Sequence, residues 1–211
     1  MVYYPLFITG FVLDDYLFDH DFFDADKIIL SSASSKTSFS LAFLLNRNRS
    51  RHVVGLTSGG NKAFVESMGL YDEVVTYDTV ETLDASSNIA YVDMAGNRKV
   101  LESIHHHFGD KVTCSCGVGI THWDSRDGAE QSSLPGAKPA MFFAPTQIQK
   151  RHQEWGPEKL QAEMQNAWAE FLDAVDGWVT INERKGADQM QQTYLEVLHG
   201  AAPDQSFAIS L

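Results

Sequence analysis

The feature that most constrains this chain is an alternation in its first half, where short apolar runs are separated by segments of helical period. "KIILSS" (27–32), "HVVGLTS" (52–58), "DEVVTYD" (72–78), "NIAYVDMAG" (88–96) and "KVTCSCGVG" (111–119) read as strands. Between them, 35–47 presents Phe39, Leu41, Ala42, Leu44 and Leu45 as a broad apolar helix face. A short helix over 60–69 stops at Gly69, and one over 97–109 closes at Gly109, both natural C-terminal residues. Apolar strands joined through helices predict a parallel sheet covered on both faces, a doubly wound α/β fold of Rossmann type.

The second half is different. Residues 120–140 are polar and without period, and a loop of that length in a compact domain is often functional. "AMFFAP" (140–145) reads as a short strand. The stretch after it is helical with a break at Gly156-Pro157, where Pro157 suits a first helical turn. "WVTIN" reads as a strand, "GADQMQQTYLEVLHG" as a helix and "SFAISL" as a final edge strand. The expected organisation is a linker helix over 1–26, a dinucleotide-binding core over 27–145 and a C-terminal helical extension with a strand over 146–211.

Composition narrows the function classes. With 211 residues and 44% hydrophobic content, the chain can bury a real core. A formal charge of −12 argues against a broad nucleic-acid surface, though a local anion site remains open. No apolar run reaches the roughly 18 residues of a membrane span, and the N-terminus lacks a basic signal region. A cytoplasmic protein is expected. Cys114 and Cys116 share one face of a strand and read as small buried residues. His105, His106 and His107 point in different directions on a helix, so they read as a solvated face and not a metal site. Lys150, Arg151 and His152 form a small basic spot, read as a solvated helix end.

The first strand–turn–helix carries the chemistry. A dinucleotide site needs a sharp turn that brings backbone to a pyrophosphate at a helix N-terminus. Such turns are usually rich in glycine, and "SSASSKTS" has none. Ser32, Ser35 and Ser38 occupy the positions of G-x-x-G-x-x-G, and Lys36 adds a cation. The loop can thus exchange close backbone approach for hydroxyl and ammonium contacts from Ser32, Ser34, Ser35, Lys36 and Thr37. The bland alternative is a serine-capped helix with Lys36 in water. A P-loop would require glycine at Leu30 and Ser35, and both fail. The second strand ends in "GLTSGGNK", without the acid that binds ribose hydroxyls in an NAD site. Ser58 and Lys62 there suit a 2′-phosphate, so NADP(H) is the expected cofactor.

These residues carry a resemblance. The segment from "ADKIILSSASSKTS" to "YDEVVTYDTVE" resembles the cofactor-binding half of medium-chain dehydrogenase/reductases, in particular the quinone oxidoreductase branch. The motifs "SSASSKT", "GLTS", "GLYD", "YVDMAGN", "THW", "LPG" and "FFAP", in this order, resemble the DUF2855 family more specifically. The resemblance implies that Tyr77 packs near the 2′-phosphate. Asp93, Met94 and Ala95 would then lie near the nicotinamide ribose, and Gly117, Val118 and Gly119 near the carboxamide. It also implies a preceding GroES-like domain of about 140 residues, by usual two-domain sizes, which is expected to be missing here. The usual zinc ligands would lie mainly in that domain, so a zinc-independent reductase is implied. Such reductases often dimerise by sheet extension, with "SFAISL" as the expected edge.

For chemistry, strand C-terminal ends are where ligands sit in open α/β sheets. After the fifth strand, His122 is the candidate proton donor or acceptor, Trp123 a stacking surface and Thr121 a carboxamide partner. Phe142 and Phe143 are candidate pocket walls. The expected activity is quinone- or enone-reductase-like. The alternative is a non-catalytic nucleotide-binding or protein-interaction module whose contact surface is 120–140.

Overall fold

The computed structural model describes residues 3–48, 51–119 and 134–210. The chain begins with α1 (Tyr4–Asp19), followed by a tight turn over Asp21–Asp24. Then come β1 (Lys27–Leu30), α2 (Lys36–Asn48), β2 (His52–Thr57), α3 (Lys62–Ser67), β3 (Glu73–Thr76) and β4 (Ile89–Asp93). The sequence continues through α4 (Arg98–Phe108), β5 (Val112–Gly117), β6 (Ala140–Met141), α5 (Ala144–Trp155) and α6 (Pro157–Val175). It closes with β7 (Thr180–Lys185), α7 (Ala187–Leu198) and β8 (Gln205–Ser210).

Among the described residues, six strands form one sheet in the order β3-β2-β1-β4-β5-β6, with every pair parallel. This is the expected Rossmann-type sheet. The strand order reverses direction between β1 and β4, so a crevice opens there at the strands' C-terminal ends. The apolar runs are continuous because each strand serves two cores. Ile28 and Leu30 face α1 and α2, while Ile29 faces the α4 side. Ala90 and Val92 join the first core, and Ile89 and Tyr91 the second. Cys114 and Cys116 are both buried in the first core as free thiols, and burial pushes each up to about 12.

Gly10 of α1 lies against α2, where a Cβ would stand 3.0 Å from the Leu41 amide nitrogen. Both helices are covered by α6. Phe171 is fully buried, with its ring centroid 5.0 Å from Phe7, 5.5 Å from Phe43 and 5.7 Å from Trp168. Trp178, just beyond α6, packs edge-on against Phe39 and Phe43. Between α1 and β1, four consecutive residues, Asp21, Phe22, Phe23 and Asp24, hold φ between 47° and 57°. Left-handed backbone is costly for non-glycine residues. Burial of Phe22, with the Arg51 guanidinium 4.7 Å over its ring, and stacking of His20 on Phe23 oppose that cost.

Several expectations change. His105 is fully buried and not part of a solvated face. Its Nδ1 donates to the Pro135 carbonyl at 2.8 Å, and its Nε2 accepts from Ser115 Oγ at 2.9 Å. Burial lowers its pKa, in keeping with a neutral ring. It flanks the apolar stripe of Val100, Ile104 and Phe108, so the turn of the helix carries it inward. Arg151 is likewise not solvated. It pairs with Asp15 and Asp19 of α1 and with Glu154, and it stacks on Trp155, while Lys150 pairs with Asp19. The expected strand over 140–145 shortens to Ala140–Met141, because α5 already begins at Ala144, with Pro145 in its first turn. The final strand forms as β8, but it pairs in parallel with β7 in a separate two-stranded sheet and is no edge of the main one. No helix among the described residues is long and apolar enough to cross a membrane.

Two outcomes check this packing. Phe171→Ala should cost about 3–5 kcal/mol in urea unfolding, the range for emptying a core aromatic site. Asp14 lies at the α1–α2 seam, where burial and the neighbouring Asp15 push its carboxyl up to about 7 from 3.8, against Arg47. The folded chain therefore holds this proton more tightly than the unfolded chain. The stabilisation is complete below the unfolded value and lost as pH rises through the folded one. Asp14→Asn should raise the melting temperature at about pH 8, and the gain should vanish near about pH 4.

Candidate functional site

The crevice between β1 and β4 is lined by the turn that leaves β1. Ser31 is buried and bridges the strands. Its Oγ donates to Asp93 Oδ1 at 2.9 Å and accepts from the Met94 amide at 2.8 Å. The same Asp93 oxygen accepts from the Ala95 and Gly96 amides at 3.1 and 3.0 Å. Asp93 and Met94, both buried, thus form the wall of the crevice at the end of β4.

Ser32 then adopts φ 49°, the left-handed conformation that glycine takes at no steric cost. The first residue matched to the glycine pattern is therefore the one whose backbone uses glycine geometry. Its amide donates to Tyr77 Oη at 2.9 Å, so the tyrosine from the end of β3 braces the turn. Ala33 is held from both sides: its amide donates to the Leu56 carbonyl at 2.9 Å, and its carbonyl accepts from the half-buried Tyr71 hydroxyl at 2.8 Å. That approach requires Gly55, where a Cβ would lie 2.9 Å from the Tyr71 ring and 3.0 Å from Ala33. Asn61 donates to Ser34 Oγ at 3.0 Å. Ser35 caps α2, accepting the Ser38 amide on its Oγ at 3.2 Å. The Lys36 and Thr37 amides, the first two of the helix, have no intrahelical acceptor by the geometry of a helix start. They are the groups an anion would meet, at the positive end of the α2 dipole.

The lysines are placed differently from the expectation. Lys36 Nζ donates to the carbonyls of Pro203 and Gln205, at 2.8 and 3.1 Å. Lys62 Nζ donates to the Val74 carbonyl at 2.7 Å and pairs with Glu66. Ser58 is exposed just after β2, with no carboxylate in the "GLTSGGNK" segment (55–62) that contains it. At the end of β5, the Val118 amide donates to the Asp93 carbonyl at 2.8 Å. A Cβ on Gly117 would stand 2.9 Å from Met141 Sδ, and one on Gly119 would run into the Met94 carbonyl. Phe142 packs on Tyr16 and is part of the core boundary, whereas Phe143 is 67% exposed. Thr121, His122 and Trp123 lie outside the described residues.

The structure thus brings Ser32, Ser34, Ser35, Thr37, Tyr77, Asp93 and Met94 together around one crevice. Ser31, Tyr71 and Asn61 hold the turn in place and were missed by sequence reasoning. Gly55 inside an otherwise β-branched and apolar strand was the available signal, since such a glycine marks close backbone approach.

With this geometry established, the chain can be set beside known proteins. The family described as "Protein of unknown function (DUF2855)" matches residues 1–203, and the chain belongs to it. Among curated proteins none matches. Solved structures share the fold. The yhdH oxidoreductase from Salmonella enterica, in complex with NADP, superposes with a TM-score of 0.58 at 12% identity, over 97% of this chain and 60% of that one. CurA from Vibrio vulnificus, in complex with NADPH, gives 0.60 at 13% identity, over 96% and 61%. A putative NADPH:quinone reductase from Bacillus thuringiensis gives 0.52 at 13%, over 90% and 58%. The chain therefore spans about 60% of the length of the solved structures it matches.

The strain and bracing of the turn have measurable signs. Ser32→Gly should stabilise the chain by about 1 kcal/mol, the order of the left-handed penalty it removes. Tyr77→Phe leaves the Ser32 amide without its acceptor and should cost about 1 kcal/mol. Urea denaturation of both variants reads the two opposite shifts.

Proposed function

We propose that this member of the DUF2855 family is an NADP(H)-binding, zinc-independent reductase-like protein of the quinone/enone type. The observation that carries the proposal is the turn at the β1–β4 crevice. It combines glycine-like backbone at Ser32 with two open amides at the start of α2, on the fold shared with NADP- and NADPH-bound oxidoreductases. The residues fit a dinucleotide. Its pyrophosphate would be held by the Lys36 and Thr37 amides, with the hydroxyls of Ser32, Ser34 and Ser35 on the same turn. Ser58, just after β2, and Lys62, the first residue of α3, would hold a 2′-phosphate once the Lys62 ammonium turns from the Val74 carbonyl and Glu66, with Tyr77 at the end of β3; a strand end that lacks an acid suits this. Asp93 and Met94 would support the nicotinamide ribose, and Gly117 and Gly119, with Thr121, the carboxamide.

Bound NADPH supplies a hydride when a substrate is in place. The chain's own part is to position the reacting ring and to keep the crevice rigid. The Ser31–Asp93 bridge fixes the wall of the crevice, and the buried core beneath it excludes water. His122 is the proposed proton donor, with Trp123 and the Phe142–Phe143 segment toward the substrate. The two cysteines sit in the core of the sheet, where burial keeps both as thiols. Pairing of two copies through the outer edge of β8 would extend the small sheet and not the six-stranded one.

The alternative is a non-catalytic nucleotide-binding or protein-interaction module. The two separate in one titration, because the chain's four tryptophans report on a bound nicotinamide. NADPH should change their emission at micromolar to sub-millimolar levels, and NADH should bind more weakly. Lys62→Ala should lower NADPH affinity by about tenfold, equivalent to about 1.4 kcal/mol, and leave NADH almost unchanged. Binding without turnover of quinones or enones favours the module. No emission change at millimolar NADPH removes the cofactor reading.

A further inference from the structure

The β7-α7-β8 unit stands apart from the six-stranded sheet. Its entrance is fixed by Trp178, packed on Phe39, Phe43 and Phe171. Beyond that point, two side-chain hydrogen-bonding residues of the core reach the unit among the described residues. Tyr3 bonds Ser206 through their hydroxyls, and Lys36 donates to the carbonyls of Pro203 and Gln205. Apolar packing does not seal this contact. A cavity of about 440 Å³ lies between Lys36, α7 and β8, with Thr193, Val197, Ala202 and Phe207 on its walls.

Lys36 is also the first residue of α2, so its amide is one of the two that face the crevice. An ammonium has three donors, and two of them are committed to backbone carbonyls more than 160 residues away in sequence. The ammonium is half-buried among them; burial lowers its pKa, and the nearby Asp204 carboxylate opposes that shift. A backbone carbonyl is an obligatory acceptor, so drawing the ammonium to a phosphate would strip both carbonyls of this partner at once.

We propose that Lys36 is a positioning residue and not a phosphate ligand: its ammonium latches the C-terminal β-α-β unit onto the first turn of α2. Order in the turn and docking of the unit are then one linked equilibrium. Whatever rigidifies the turn protects the unit, and loosening the unit loosens the turn, to the same extent in each direction.

The test is hydrogen exchange on the full chain, first without any nucleotide. Lys36→Met should speed exchange of the amides over 180–185 and 205–210 by about tenfold, while β1 and β4 exchange as in the parent. Lys36→Arg, which can still donate to both carbonyls, should restore protection. A group that serves only as a phosphate ligand would leave this arm unmoved. The second arm adds NADPH. Its affinity should show the same dependence on salt in Lys36→Met as in the parent, because no charge–phosphate contact has been removed. Unchanged exchange over 205–210 in Lys36→Met overturns the latch, and so does a flattened salt dependence with the Arg variant behaving as parent. If Lys36→Met fails to fold, Ser206→Ala in the Lys36→Arg background isolates the latch. Retained protection over 205–210 there supports it, and full loss overturns it. The exchange arm needs no cofactor, so failure of the NADP(H) reading leaves it intact and readable.

Discussion

The bridge between Ser31 and Asp93 is the interaction on which the rest of this structure depends. It joins the ends of β1 and β4, the two neighbouring strands whose following helices leave to opposite faces of the sheet. A parallel sheet tends to open at that point, because no helix covers the gap. Here a buried carboxylate oxygen accepts from one hydroxyl and two amides, and the hydroxyl accepts in turn from the Met94 amide. The two strand ends therefore move as one body. The turn of Ser32 to Ser35 is carried on one of them, and the end of β5 hangs from the other through the Asp93 carbonyl. Polar groups buried this completely are worth most when every member is satisfied.

Much of the fold was legible because its strands are buried on both faces. A run such as Ile28-Ile29-Leu30 has no polar side to show, and continuity of that kind points to a parallel sheet. Helix stops at Gly69 and Gly109 were legible for the same local reason: each takes positive φ. What stayed hidden was pairing. "SFAISL" has the pattern of a strand whichever sheet it joins, so nothing local could assign it to β7. His105 was misread because three histidines in a row suggest water, although only one of them sits beside the Val100, Ile104 and Phe108 stripe. Arg151 was misread because its partners, Asp15 and Asp19, are far away in sequence.

The candidate site divides along the same line. The position of the turn, the cap at Ser35 and the lack of an acid after β2 are local properties and could be read directly. The conformation of Ser32 was implied by its place in a glycine pattern. The destinations of long side chains were not. Lys36 and Lys62 were expected to face phosphates, and each ammonium instead finds a backbone carbonyl. A lysine stem reaches far enough to choose among several acceptors, and sequence spacing records only where the stem begins. Tyr77 is the counterexample, since a rigid ring at the end of β3 reaches the crevice directly and meets the Ser32 amide.

The ion cluster between α1 and α5 has a consequence for the order in which the chain is made. Asp15 and Asp19 precede Arg151 by 136 and 132 residues. During synthesis α1 can settle on α2 almost at once, through the small surface at Gly10, while its two carboxylates still face water. Ionised carboxylates carry charge, so that side of the growing chain stays polar through the translation of the sheet. Only when α5 emerges does the guanidinium arrive to withdraw them from solvent. The same carboxylates thus act first as guards of an unfinished surface and then as part of its seal, which makes closure of this seam one of the late events in folding.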